Sequence, residues 1–296
     1  MKLIIYDKEK IMTKEKIALL VDSGTDVPEE ISTAHHMYTI PLKIIYKNRE
    51  YTDKVDITPE EIYSKLHQEI PSTSLPDGDT INKIFDQIKA DGFTHVLAIT
   101  ISSGLSGTNN AVRLLGEHYE GLTTYAFDTK NIGIGAGLQA IRAAELLQKG
   151  LSFEELITQL EKEVLQNKVY FNVATLEYLQ KGGRIGLVAS ILGNALKLNP
   201  IISCNDEGIY YTVAKARGRK KSLEKSVSLI REAIGNHQNV CLAVAHGDAL
   251  AEAKMMKEVL EREFPQVKEF FFGQISPALV VHTGPGLLGF GIQALD

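Results

Sequence analysis

At 296 residues, with 44% hydrophobic and 23% charged side chains, the chain has the make-up of a soluble globular protein long enough to build two cores. Its 37 acidic residues against 32 basic ones give a net charge of −5, so no domain-wide basic excess is available to neutralise phosphates and nucleic acid is excluded as the main partner. Cys204 and Cys241, the two cysteines, lie far apart in strand-like apolar runs, which fits core positions in a reducing cytoplasm better than a disulfide scaffold.

The chain has no apolar stretch as long as a membrane span, and its start lacks the apolar run and small-residue cleavage site of a signal peptide. Residues 1–15 read as a leader or an extra strand. Lys16 to Val21 is a short apolar strand ending in Asp22-Ser23-Gly24-Thr25-Asp26, a hydroxyl- and carboxylate-bearing turn before a helix opened by Pro28. A strand follows at Tyr38 to Tyr46. Thr58-Pro59-Glu60-Glu61 is a capping box with proline at the first helical position. Pro71-Ser72-Thr73-Ser74-Leu75-Pro76 is a proline-bracketed loop that presents its hydroxyls rather than packing them; the lesser alternative is that Thr73 and Ser74 simply initiate the helix after Asp77. The next helix is Thr80 to Ala90.

Thr94 to Arg113, THVLAITISSGLSGTNNAVR, is the centre of the first half: a strand buried on both faces, a serine- and glycine-rich turn, and a helix that Thr108 is expected to cap. Ser102, Ser103 and Ser106 supply hydroxyls, Gly104 and Gly107 allow close approach of a ligand, and the helix start favours an anionic head group at a strand's carboxyl end. Small residues also serve an ordinary strand-to-helix turn. The spacing matches neither a Walker A loop nor GxGxxG, so nucleotide binding is not indicated. The strand Thr123 to Asp128 precedes a helix with Ile134, Leu138, Ile141 and Ala144 on one face, and Ser152 with Glu155 boxes the next helix. Alternating strands and helices predict a parallel, doubly wound sheet.

Beyond this point the pattern changes. Val169 to Val173 is a strand and Thr175 to Gln180 a short helix, after which Lys181-Gly182-Gly183-Arg184 puts a cation in a flexible loop or at a solvated helix end. Ile185 to Leu196 is apolar nearly all round, as a core helix or the wall of an apolar tunnel would be. Asn205 to Gly208 between two strand-like runs signals a hairpin, and strands near Val240 to Ala245 and Val267 to Phe272 alternate with two helices, predicting a two-layer unit with a mixed sheet. Arg217 to Lys221 is a solvated helix start or a docking patch for an acidic surface. His282 falls in a Gly-Pro turn, HTGPG, where it is less often core filling than inside a helix. The other histidines, His35, His36, His67, His95, His118, His237 and His246, have no metal-ligand spacing with a carboxylate or cysteine, so no metal site is expected.

DSGTD, TSLP, SSGLSGT, LEYLQKGGR, ARGRKK and HTGPG, in that order, make the chain from Lys16 onward resemble the DegV family of bacterial fatty-acid-binding proteins. The resemblance implies an α/β fold in two domains, related to the dihydroxyacetone-binding subunit of dihydroxyacetone kinase. Residues 16–167 would form a three-layer α/β/α domain with a parallel sheet and residues 168–296 a two-layer α/β domain with a mixed sheet, the ligand lying between them. It further implies a cytoplasmic carrier, not an enzyme and without a cofactor, that holds a long-chain fatty acid such as palmitate, stearate or oleate. Its partner would be the catalytic subunit of a fatty acid kinase, which makes the acyl phosphate for phospholipid synthesis. Position by position, Thr73 and Ser106 would hold the carboxylate, and Arg184 and His282 would support phosphoryl transfer; Leu75 stands where the family often has Gln. A subunit that binds a small carbonyl compound covalently through a histidine is the alternative. Lys181 to Leu196, with glycines at 182, 183 and 186, is expected to gate the acyl chain at a transient membrane surface.

Overall fold

The structure, a computed structural model, describes residues 15–295; the expected leader or extra strand over 1–15 lies, apart from Glu15, outside the described residues. In chain order the first half runs β1 (Ile17–Asp22), α1 (Glu29–Ala34), β2 (Tyr38–Ile40), β3 (Lys43–Tyr46), β4 (Arg49–Thr52), α2 (Pro59–Lys65), β5 (Ser72–Ser74), α3 (Gly78–Ala90), β6 (His95–Thr100), α4 (Thr108–Glu117), β7 (Thr123–Asp128), α5 (Ile134–Gln148) and α6 (Phe153–Glu163). The second half continues with β8 (Asn167–Asn172), α7 (Glu177–Lys181), β9 (Asn199–Cys204), β10 (Tyr210–Ala216), α8 (Arg219–Ile234), β11 (Asn239–Gly247), α9 (Leu250–Glu263), β12 (Glu269–Gln274), α10 (Pro277–Thr283) and β13 (Leu287–Leu295).

The first sheet, β2-β1-β6-β7, is parallel throughout. Successive side chains of β1 and β6 go to opposite faces: Ala18, Leu20, Val96 and Ala98 meet Ile81, Phe85 and Val112 of α3 and α4, while Leu19, Val21, Leu97 and Ile99 meet Ala140, Ala143 and Leu156 of α5 and α6. This is the expected three-layer arrangement. The second sheet, β10-β9-β8-β13-β11-β12, is antiparallel except for the β11–β12 pair, and α8 and α9 cover one of its faces. The mixed sheet and the hairpin through Asn205 to Gly208 are as expected. Gly208 takes φ +76 there, a conformation open to glycine.

Helix α5 departs from its one-faced expectation, since twelve of its fifteen residues are buried. It packs β1 and β6 on one side and β8, β11 and β13 on the other. Its small residues permit this: a Cβ on Gly135 would stand 2.9 Å from Val169 Cβ, and one on Gly137 2.5 Å from the Thr25 carbonyl.

The strand expected from Tyr38 to Tyr46 is broken at Pro41, which has no N–H for a ladder. β2 joins the parallel sheet, and β3 turns away into a small antiparallel sheet of order β4-β3-β5. The Pro71 to Pro76 loop is therefore a correction, because its middle is strand β5 paired to β3. Pairing imposes alternation, so Thr73 turns inward while Ser72 and Ser74 stay exposed. Helix α4 has Gly107 at its cap with no side-chain cap bond, so the expected Thr108 cap is also corrected; the Thr108 amide donates instead to Ser106 Oγ at 3.3 Å. Residues 186–197 form successive 3₁₀ turns rather than an α-helix. Among the described residues no helix is long and apolar enough to cross a membrane.

Candidate functional site

Where β5, the 101–107 turn, α5 and α10 converge on the inner face of the second sheet lies a cavity of about 220 Å³. Most of its wall is apolar: Ile134 from α5, Val169 and Phe171 from β8, Ala245 from β11, Leu287 from β13 and Leu279 from α10. Gly289 exposes bare β13 backbone to it. Tyr210 closes one side, its ring edge-on to Phe171 at 5.1 Å between centroids.

The polar side chains gather at one end, where all four residues expected from the sequence line the cavity: Thr73, Ser106, Arg184 and His282. Thr73 Oγ1 lies 2.6 Å from His282 Nε2. The Ser106 hydroxyl lies 2.8 Å from Thr108 Oγ1. Leu75 rests against Gly107, where an added Cβ would lie 3.6 Å from Leu75 Cδ2, so β5 and the serine turn lie side by side. Arg184 crosses the serine turn, donating from Nε to the Leu105 carbonyl at 3.3 Å and from NH1 to the Gly182 carbonyl at 2.8 Å. Those two carbonyls hold the guanidinium in place and leave its charge uncompensated by any carboxylate in an ion pair among the described residues.

His282 sits in the last turn of α10, not in the Gly-Pro turn expected from the sequence. Ser276-Pro277 is the local helix-start signal that reading passed over. Burial first, and then the Arg184 charge, push the imidazole down from its ordinary range to about 4, so the ring is neutral at pH 7. Its Nδ1 makes no hydrogen bond and faces Gly182, where an added Cβ would fall 2.2 Å from Nδ1. Thr73, Ser106 and Arg184 thus offer hydroxyls and a cation beside a neutral ring, which suits a carboxylate head group. No buried lysine is needed.

The other serines of the turn do not reach this place. Ser102 is buried and donates to the Gly208 carbonyl at 2.9 Å, pinning the turn to the β9–β10 hairpin, and Ser103 donates to Asp128. Of the segment 181–196, Arg184 is the one described residue that lines the cavity; Val188 and Ile191 are core, one of the two roles expected for Ile185 to Leu196, and the side chains of 192–196 lie outside the described residues. Arg219 in the basic run is structural, paired with Glu252 at 2.8 Å and bonded to the Gly286 carbonyl, while Arg217, Lys220 and Lys221 are exposed. Sequence reasoning passed over Phe171, Tyr210 and Gly289, whose only signal was membership of apolar strands.

A second, more polar cavity of about 600 Å³ lies behind the first and shares Ile134 and Ala245 with it. Asp22, Asp26, Asp53 and Lys54 line it. Lys54 Nζ is 3.1 Å from Asp26 Oδ1. Among the described residues no group of three or more His, Cys, Asp and Glu side chains is placed to hold a metal ion.

The family model described as uncharacterised protein, DegV family, matches residues 16–295. The chain belongs to the DegV family. A DegV domain-containing protein of Clostridium perfringens is 42% identical over 94% of this chain and 99% of its own length. Among solved structures, a DegV protein of Thermus thermophilus described by its fatty acid binding superposes with a TM-score of 0.89 at 29% identity, covering 95% of this chain and 100% of that one. A stearic acid-binding protein of Eubacterium ventriosum does so with a TM-score of 0.83 at 25% identity, covering 94% and 98%. Those two solved proteins are described as fatty-acid binders and share the fold described above.

Proposed function

We propose that this protein holds one long-chain fatty acid, of the class of palmitate, stearate or oleate, and presents its carboxylate to the catalytic subunit of a separate fatty acid kinase. That partner would make the acyl phosphate used in phospholipid synthesis, and this chain would be a cytoplasmic carrier without a cofactor of its own. The observation that carries the reading is the division of one cavity into an apolar body and an end bearing Thr73, Ser106, Arg184 and His282. The ligand would lie between two domains, residues 16–167 and 168–296. Each buried methylene contributes about 0.8 kcal/mol, so a sixteen-carbon tail supplies roughly 12 kcal/mol before the costs of binding. The tail dominates affinity and the polar end orients the head. A small carbonyl compound bound covalently through His282 fits less well, because Nε2 is already engaged with Thr73 and the wall is mostly apolar.

Hydrogen bonds to a charged group contribute about 1.5–3 kcal/mol each. Thr73→Ala combined with Ser106→Ala should therefore weaken stearate binding by at least tenfold and leave the fold intact, since both side chains sit at the cavity rather than in the core. Calorimetry showing wild-type affinity in the double variant rejects the head-group placement.

Arg184 and His282 belong to the next step. Arg184 would face the phosphates brought by the kinase, and exposed Arg217, Lys220 and Lys221 would meet an acidic surface on it. Release would occur against a transient membrane surface, with glycines 182, 183 and 186 easing movement of the segment that follows. Arg184→Ala and His282→Ala are expected to retain co-purified fatty acid, read by mass spectrometry, while acyl-phosphate formation with a cognate kinase falls by about a hundredfold or more. Loss of lipid with turnover retained would reverse the two roles.

A further inference from the structure

We infer that Asp53 and Asp26 are positioning residues for His282, capping helix α10 from outside its own strand of chain and so fixing the ring against Thr73; this rests on the head-group reading above. The motif Asp22 to Asp26 and the pair Asp53-Lys54 are otherwise unused by the cavity chemistry. They lie on the far side of α10 from the head-group end.

Helix α10 has seven residues, too short to be stable on its own. Its N-cap residue, Ser276, makes no side-chain cap bond, and its hydroxyl has no partner. Pro277 has no N–H to satisfy. The two free amides around it are instead taken by carboxylates from elsewhere in the chain: Ser276 N donates to Asp26 Oδ1 at 3.0 Å, and Ala278 N to Asp53 Oδ1 at 2.9 Å. Asp53 is itself fixed, because Ser23 donates its hydroxyl to Oδ2 at 2.6 Å and in turn accepts from Leu42 N at 3.0 Å. Asp53 is 1% exposed. Negative charge at this end also favours the helix dipole.

Ala278 and His282 are one turn apart on the same helix, so whatever fixes the first amide fixes the height of the ring. The ring has little slack. Thr73 holds Nε2 at 2.6 Å on one side, and the Gly182 backbone closes on Nδ1 from the other. At the far end the Gly284 amide donates to the Val280 carbonyl at 2.8 Å and the Thr283 hydroxyl to the Leu279 carbonyl at 2.9 Å. Those two bonds lie within the helix's own last turn, and it is the two carboxylates at the N-terminus that tie its backbone to distant parts of the chain. The charged groups facing Asp53 are Asp22, Asp26 and Lys54, and the one facing His282 is Arg184.

The test is the titration of the His282 ring in the ligand-free protein, followed by NMR of the imidazole nitrogens, with stearate affinity measured alongside. In Asp53→Ala the Ala278 amide loses its acceptor and α10 loosens. The ring then gains water and should titrate at least one pH unit above the wild-type ring, which burial holds down to about 4, while stearate affinity stays near wild type, as expected for His282→Ala. Asp53→Asn keeps an oxygen for Ala278 N and should restore the titration to near wild type. A purely structural role would lower the melting temperature of Asp53→Ala without moving the titration of the folded ring, and that result overturns the inference. If Asp53→Ala does not fold, Ser23→Ala, which removes the hydroxyl that orients Asp53 and accepts from Leu42 N, replaces it; an unmoved titration there is equally fatal. Since the titration needs no ligand, wild-type protein that takes no stearate rejects the head-group reading and still leaves the positioning role to be decided by the ring.

Discussion

Gly289→Leu is expected to reduce stearate affinity by about 200-fold while leaving the protein as stable as the wild type or more so. Gly289 lies in β13 opposite Phe171 of β8 and Ala245 of β11, and all three line the cavity. Directly opposed residues share a face of the sheet, so a side chain introduced there enters the space assigned to the tail. It would enter without strain, because Gly289 is not among the residues with positive φ. The nearest atoms to an added Cβ would be the Ala245 side chain and carbonyl and Leu287 Cδ2, at 3.8–3.9 Å, an ordinary van der Waals separation. The leucine would displace about four methylenes of the ligand, and at about 0.8 kcal/mol each that is about 3 kcal/mol, or roughly 200-fold. A ten-carbon acid, whose tail stops short, should lose far less. Calorimetry with both acids checks this, and equal affinity for stearate in variant and wild type would mean that the tail does not run along β13.

How much of this could be read from the chain itself depends on how local each signal is. The capping boxes Thr58–Glu61 and Ser152–Glu155 are present with both reciprocal bonds, because partners three residues apart need nothing from the rest of the protein. The hairpin at Asn205 to Gly208 is local in the same way. Pro41 and Ser276-Pro277 were local signals passed over; other misjudged elements depend on distant contacts. Ser72 to Ser74 becomes a strand only because β3 offers an edge, and α5 is buried all round only because a second sheet arrives later in the chain.

The site divides along the same line. Thr73, Ser106, Arg184 and His282 each stand in a short glycine- or proline-bounded motif, and the fold brings all four to one end of one cavity. Phe171, Tyr210 and Gly289 carried no such marker. The cluster of Asp22, Asp26, Asp53 and Lys54 was half legible: the Asp22 to Asp26 turn is visibly polar, but its partners come from the end of β4 and the start of α10. No spacing rule joins those stretches.

Asp22 is the member of that cluster with the largest expected consequence for stability. It has no exposure to solvent; Oδ2 accepts from the Ile101 amide at 2.9 Å, and Oδ1 has no partner. Burial pushes its carboxyl up to about 7, against the opposing pull of the Ile101 and Gly24 amides, with Asp53 adding a smaller upward push. The folded protein therefore binds more protons here than the unfolded chain between about pH 4 and pH 7, so this group's contribution falls as pH rises through that window and levels off above it. Asp53, pushed up to about 6, acts in the same direction, whereas His282, held down to about 4, acts oppositely because it must be neutral when buried. Comparing Asp22→Asn with the wild type largely cancels the other two groups. The amide keeps an oxygen for Ile101 N and turns its NH₂ towards the polar cavity, so the variant escapes the cost of ionisation. Its stability relative to wild type should rise by on the order of 3 kcal/mol between pH 4 and pH 8. Denaturant unfolding at those two pH values measures the change directly. A difference between the two proteins that is the same at both would mean that Asp22 ionises in the folded state as easily as in the unfolded one, with its second oxygen reached by water or by a partner other than those described.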